Sequence, residues 1–189
     1  TSGGSARDLI EQIESNSTQL SDPSTLVFST PYKIHQIMDK QGYNYTTAAG
    51  FFDLFIADEA SMLTIPDMLK SGGFISKNAQ ILLTGDHRQM SPVQTHAWKS
   101  ETRPNIQSYV PVLSALNYAR YLSGKDITEF IGYPDKIIQS PEADIPVHQL
   151  EVTYRCHRTI AEFLQEWIYS KDGINYRSDI TDTISPVSS

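Results

Sequence analysis

Apolar residues fall along this chain in short blocks of two kinds. Runs at 26–29, 54–57 and 79–84 are apolar with little polar alternation. Blocks of that length predict strands buried on both faces, as in a parallel sheet covered by helices. Between them the spacing turns helical. Ile34, Ile37 and Met38 form an inward stripe behind Pro31, whose fixed φ suits a first helical position, and Gly42 is a stop. Thr64-Ile65-Pro66-Asp67 reads as a capped helix start, with Met68 and Leu69 inward and Gly72-Gly73 at the end. Leu9, Ile10 and Ile13 suggest a short first helix capped by Ser5. The order helix, strand, helix, strand, helix, strand predicts α/β architecture: a parallel sheet with right-handed crossovers.

The remainder is less regular. Residues 15–24, 43–52, 87–111 and 125–146 read as loops or connections. Val112, Leu116, Ala119 and Leu122 lie at helical spacing before Gly124, and 147–152 suggests a further strand. The clearest helix spans 158–169. Thr159 and Glu162 suggest a capping box, and Ile160, Phe163, Leu164, Trp167 and Ile168 form its apolar stripe. On that pattern Phe163 and Trp167 are core residues. The stretch 174–189 is polar, a frayed end or a connection.

The length of 189 residues suits one domain, or one domain and part of another. No apolar run approaches the roughly 20 residues of a membrane span, and no signal peptide is evident. The single cysteine, Cys156, has no partner for an internal disulfide, which favours a reducing compartment: cytoplasmic, or nuclear in a eukaryote. A net charge of −7 argues against broad electrostatic adhesion to nucleic acid, while leaving room for a local groove.

The candidate chemistry sits at strand ends. Asp58 and Glu59 follow directly on the run at 54–57, and Gly85-Asp86 follows the run at 79–84. Open α/β sheets bind ligands beyond the carboxyl ends of their strands. One carboxylate there suits Mg²⁺, and a second suits the orientation or deprotonation of a water. A solvated strand end explains the same pair, and a plain turn explains Asp86. His87 and His157 lack a second ligand at zinc-like spacing, so they read as turn residues. Tyr43, Tyr45, Phe51 and Phe52 read as a loop packed on the sheet, with base stacking as the alternative.

Three segments, D-E-A-S at 58–61, G-D-H-R-Q-M-S-P at 85–92 and Y-R-C-H at 154–157, come in this order before the capped helix. Together they resemble the first RecA-like domain of superfamily 1 helicases, most closely the branch with the nonsense-mediated-decay helicase. L-V-F-S-T-P-Y-K at 26–33 resembles that family's motif Ia. Met90, Cys156 and Arg158 depart from its usual Leu, Met and Pro. The resemblance implies a RecA-like parallel sheet flanked by helices, with 1–148 as part of the first motor domain. Residues 149–189 would open the second domain or form a linker. It implies Mg²⁺ with ATP as cofactor and single-stranded DNA or RNA as partner, clamped with a second RecA-like domain of the same parent chain. Asp58 would hold Mg²⁺, Glu59 would activate water, and Gln89 would contact the γ-phosphate beside Gly85 and Asp86. Arg155 would stabilise transition-state charge, where a plain surface ion pair is its other explanation. Thr30 and Pro31 would touch the nucleic-acid backbone.

The family's phosphate loop, G-x-x-x-x-G-K-S/T, is missing from the sequence or degenerate; Gly4-Ser5-Ala6 falls where its end belongs. A helicase-like module without catalysis, serving nucleic-acid or protein binding, is therefore the alternative expectation. On either expectation this polypeptide by itself hydrolyses little or no ATP.

Overall fold

A computed structural model describes residues 25–40, 42–43, 50–93, 102–103, 113–125 and 143–181. The expected first helix with its Ser5 cap, the loop at 15–24, and Tyr45 and Val112 lie outside the described residues. The chain divides into two compact units, Thr1–Ala143 and Asp144–Ser189.

In the first unit, helix α1 (Pro31–Lys40) begins as the sequence suggests. Thr30 Oγ1 accepts from the Lys33 amide at 3.3 Å, and Thr30 O accepts from the Ile34 amide at 3.0 Å. Pro31 stands where a missing N–H costs nothing. Ile34, Ile37 and Met38 are buried. At the other end Gly42 turns left-handed, with φ +76°. The Gly42 amide donates to Asp39 O and the Tyr43 amide to Met38 O, both at 2.9 Å. That pair of bonds is the Schellman closure, and it folds Tyr43 back onto the cluster of Ile34, Met38 and Phe74.

Strand β1 (Phe52–Ala57) pairs in parallel with β2 (Ile75–Leu83), in register from Leu54 opposite Gln80 to Ala57 opposite Leu83. Parallel neighbours need a crossover, and helix α2 (Ile65–Gly72) supplies it. Thr64 Oγ1 accepts from the Asp67 amide at 3.2 Å and donates to Asp67 Oδ2 at 2.8 Å. Thr64→Ala should therefore cost about 1 kcal/mol of stability in denaturant unfolding, and Thr64→Ser much less. Met68 packs beside Ala57, Ala60 and Ala115, but Leu69 is exposed. Adjacent helical residues point about 100° apart, and the inward face of this short helix takes Met68 and Ser71 instead.

Two expectations fail here. Residues 25–30 form no strand: Leu26 and Phe28 are exposed, and Val27 alone of the three packs against the α1 cluster. The strands are not buried on both faces either. Phe55, Ala57 and Leu83 pack inward, while Leu54, Ile56, Ile81 and Leu82 stay about half exposed, at 50–52%. Tyr43, Phe51 and Phe52 pack against the α1 cluster, with ring centroids 5.1–5.2 Å apart along the series. Helix α3 (Ala115–Leu122) starts at Ser114, whose hydroxyl accepts from the Asn117 amide. Its first amides reach the turn after β1: Ala115 N donates to Leu63 O at 2.8 Å and Leu116 N to Ala60 O at 3.2 Å.

In the second unit, β3 (Val152–Thr153) pairs in parallel with β4 (Arg177–Ser178). Helix α4 (Arg158–Trp167) and a 3-10 turn at Tyr169–Asp172 lie between them in sequence. The strand expected at 147–152 thus shrinks to its last residue plus Thr153, and the stretch from 174, expected to be frayed, contains β4. The cap of α4 is His157, not Thr159: its Nδ1 accepts from the Thr159 amide at 3.2 Å. Thr159 is already inside the first turn. Glu162 instead pairs with Arg158 Nε at 3.3 Å on the exposed surface. The buried residue of α4 is Ala161; of the expected stripe Ile160, Phe163 and Trp167 are exposed and Leu164 and Ile168 half-buried, so none of it is fully buried core.

Among the described residues the fold is mixed α/β, with four α-helices and two small parallel sheets. No described helix is long and apolar enough to cross a membrane.

Candidate functional site

The register of the first sheet decides what meets at its carboxyl end. Ala57 lies opposite Leu83, so Asp58 and Thr84 leave their strands side by side. Thr84 Oγ1 donates to Asp58 Oδ1 at 2.6 Å. The backbones are laced as well: Thr84 N donates to Ala57 O at 2.9 Å, and Ala60 N donates to Thr84 O at 2.8 Å. The two turns beyond β1 and β2 are therefore one hydrogen-bonded surface.

Glu59 is exposed and has φ +50°, the one positive value among the described non-glycine residues. A left-handed L-residue costs about 1–2 kcal/mol and persists only where its surroundings impose it. Here Asp58 Oδ1 accepts from the Glu59 amide at 3.0 Å, and Glu59 O accepts from the Met62 amide at 2.8 Å. Both bonds hold the backbone, so the acidic side chain is not needed to hold the turn. In the same turn Ser61 is buried at 2% exposure, and its hydroxyl has no hydrogen-bond partner among the described residues.

Gly85 adopts φ +151°, and a Cβ there would stand 3.1 Å from Ala60 N and 3.2 Å from Ser61 N. A side chain there would be strained at this φ and would press the amides of the first turn apart by a few tenths of an ångström. Asp86 then closes its own loop. Its Oδ1 accepts from the Arg88 amide at 2.9 Å and its Oδ2 from Gln89 Nε2 at 3.3 Å, while its carbonyl accepts from the Gln89 amide at 3.1 Å. Asp86 is thus a turn residue in structure, and it ties the Gln89 amide to the strand end.

The structure gathers Asp58, Glu59, Gly85, Asp86 and Gln89 on adjoining turns. Thr30 and Pro31 head α1, a separate element packed on α2 and the Phe74 cluster. Arg155 belongs to the second unit. Its amide donates to Thr153 Oγ1 at 3.2 Å, and the next carbonyl, Cys156 O, accepts from Ser178 Oγ at 2.6 Å. That backbone is braced on both sides, and Arg155 is exposed. Sequence reasoning passed over Thr84, taking it as the last residue of a strand run. The available signal was its place directly before Gly85-Asp86, the counterpart of Asp58 at the end of β1.

Among the described residues no three His, Cys, Asp or Glu side chains stand close enough to hold a metal by themselves. A carboxylate beside a hydroxyl is still a hard-oxygen donor set. It suits Mg²⁺, which keeps waters and shares phosphate oxygens rather than needing an all-protein cage. Comparison with family models, curated proteins and solved structures finds no match to this chain.

Proposed function

We propose that this chain is a piece, mainly the first motor domain, of an ATP-driven helicase or translocase that moves on single-stranded DNA or RNA. The observation that supports the reading best is the Thr84–Asp58 hydrogen bond, with Gly85 seated against Ala60 and Ser61. It joins, on one surface, two motifs that lie apart in sequence and that the helicase resemblance assigns to one nucleotide. Asp58 is the residue to hold Mg²⁺, which when bound with ATP neutralises charge on the phosphates. Glu59, exposed beside it and not required by the turn, is the residue to take a proton from an attacking water. Gln89 offers an uncharged amide to a phosphate oxygen. The same reading gives Arg155 a part in stabilising transition-state charge, which a guanidinium does without losing its proton. It gives Thr30 and Pro31 the nucleic-acid backbone.

The test is titration of the full-length natural protein with a non-hydrolysable ATP analogue in the presence of Mg²⁺. Asp58→Ala is expected to weaken Mg²⁺-dependent binding by more than the roughly 10-fold that loss of a mere outer partner of a metal-holding group typically costs. Equal affinity in wild type and variant overturns the assignment.

The sequence offers one observation for a second reading, a helicase-like module without catalysis: it contains no G-x-x-x-x-G-K-S/T. The reading frame upstream of this segment in its gene separates the two. A phosphate loop there supports the motor, and its absence supports the module.

A further inference from the structure

We infer that Thr84 is the positioning residue for Asp58, fixing the rotation of its carboxylate so that it meets Mg²⁺ and nucleotide in one orientation. The inference rests on the nucleotide site proposed above and adds to it a residue outside all three motifs. Asp58 is exposed, and the terminal torsion of an aspartate is soft and broad. An exposed carboxylate left to itself would sample many orientations. Thr84 is built to prevent this. Its backbone is pinned on both sides, by Thr84 N to Ala57 O at 2.9 Å and by Ala60 N to Thr84 O at 2.8 Å. Its β-branched side chain is stiff about χ1. From that fixed base the hydroxyl donates to Oδ1 at 2.6 Å, the short distance typical of a hydroxyl on an ionised acceptor. The Glu59 amide donates to the same oxygen at 3.0 Å, so two donors from two turns fix one carboxylate oxygen. Outer partners of this kind orient metal-binding groups, and their loss typically costs about 10–100-fold in metal affinity.

If the bond merely laced two turns together, removing it would lower stability and leave the Mg²⁺ response alone. Binding of a fluorescent non-hydrolysable ATP analogue to the full-length protein, across a Mg²⁺ series and in EDTA, distinguishes the two. Thr84→Val keeps shape and removes the hydroxyl; Thr84→Ala repeats the test if the valine variant folds poorly, and thermal unfolding is followed in parallel. The expected result is a rise of about 10-fold or more in the Mg²⁺ concentration for half-maximal binding. Affinity in EDTA stays unchanged, and Thr84→Ser restores the wild-type response. In an Asp58→Asn background Thr84→Val should add nothing. A wild-type Mg²⁺ response in folded Thr84→Val or Thr84→Ala, or an undiminished effect beside Asp58→Asn, overturns the inference and leaves the nucleotide site standing. Wild-type protein with no Mg²⁺-dependent binding overturns both.

Discussion

Glu59→Gln in the full-length protein is expected to lower single-strand-stimulated ATP turnover by about 10²- to 10⁴-fold, the usual worth of a positioned general base. Nucleotide binding should change little. The substitution is chosen for what it leaves alone. Glu59 holds its left-handed backbone through its amide on Asp58 Oδ1 and its carbonyl under the Met62 amide, and glutamine keeps both. Side-chain length and the conformational cost of the turn are also unchanged. What goes is the ability to accept a proton. Steady-state turnover with and without single strands, beside analogue binding, reads the two effects separately. Turnover equal to wild type would remove Glu59 from the catalytic role and leave the acid pair as a solvated strand end.

How much of this was legible in the sequence depends on how local the cause is. Helix ends were legible because the chemistry that makes them lies within a few residues. Pro31 at a first turn, Thr64 bonding three residues on and Gly42 at a left-handed stop each act within one turn of backbone. The positions of Asp58 and Asp86 after β1 and β2 were legible for the same reason. Burial was not, because it depends on what lies across from a residue. The run at 54–57 has one apolar pattern whether one face or both are covered, and the structure leaves Leu54 and Ile56 half exposed. Phe163 and Trp167 share a helical stripe that reads as core, yet both are exposed. Thr159 with Glu162 fits a capping box by spacing, but His157, two residues earlier, reaches the Thr159 amide first. Thr84 is the instructive omission. Its partner Asp58 is 26 residues away, so only the strand register reveals the contact.

Register also sets the second large prediction. Gly85→Ala is expected to destabilise the first unit by about 2–5 kcal/mol, the sum of a backbone region reserved for glycine and a methyl group forced into a packed contact. The atoms in the way are the amides of Ala60 and Ser61, at 3.1 and 3.2 Å, with Leu116 Cδ2 at 3.4 Å. Leu116 is able to rotate. The amides are not: Ala60 N is bonded to Thr84 O, and Ala60 O accepts from Leu116 N, so α3 would have to move with the turn. Gly42→Ala is the matching control. It carries the left-handed penalty at φ +76° but meets no atom of the described residues within 4 Å of the added carbon, so about 1–2 kcal/mol is expected. Denaturant unfolding of both variants separates conformation from contact. Equal losses would mean that the two turns do not press together at Gly85. A clear excess at Gly85 is the result expected from its close approach to the Ala60 and Ser61 amides.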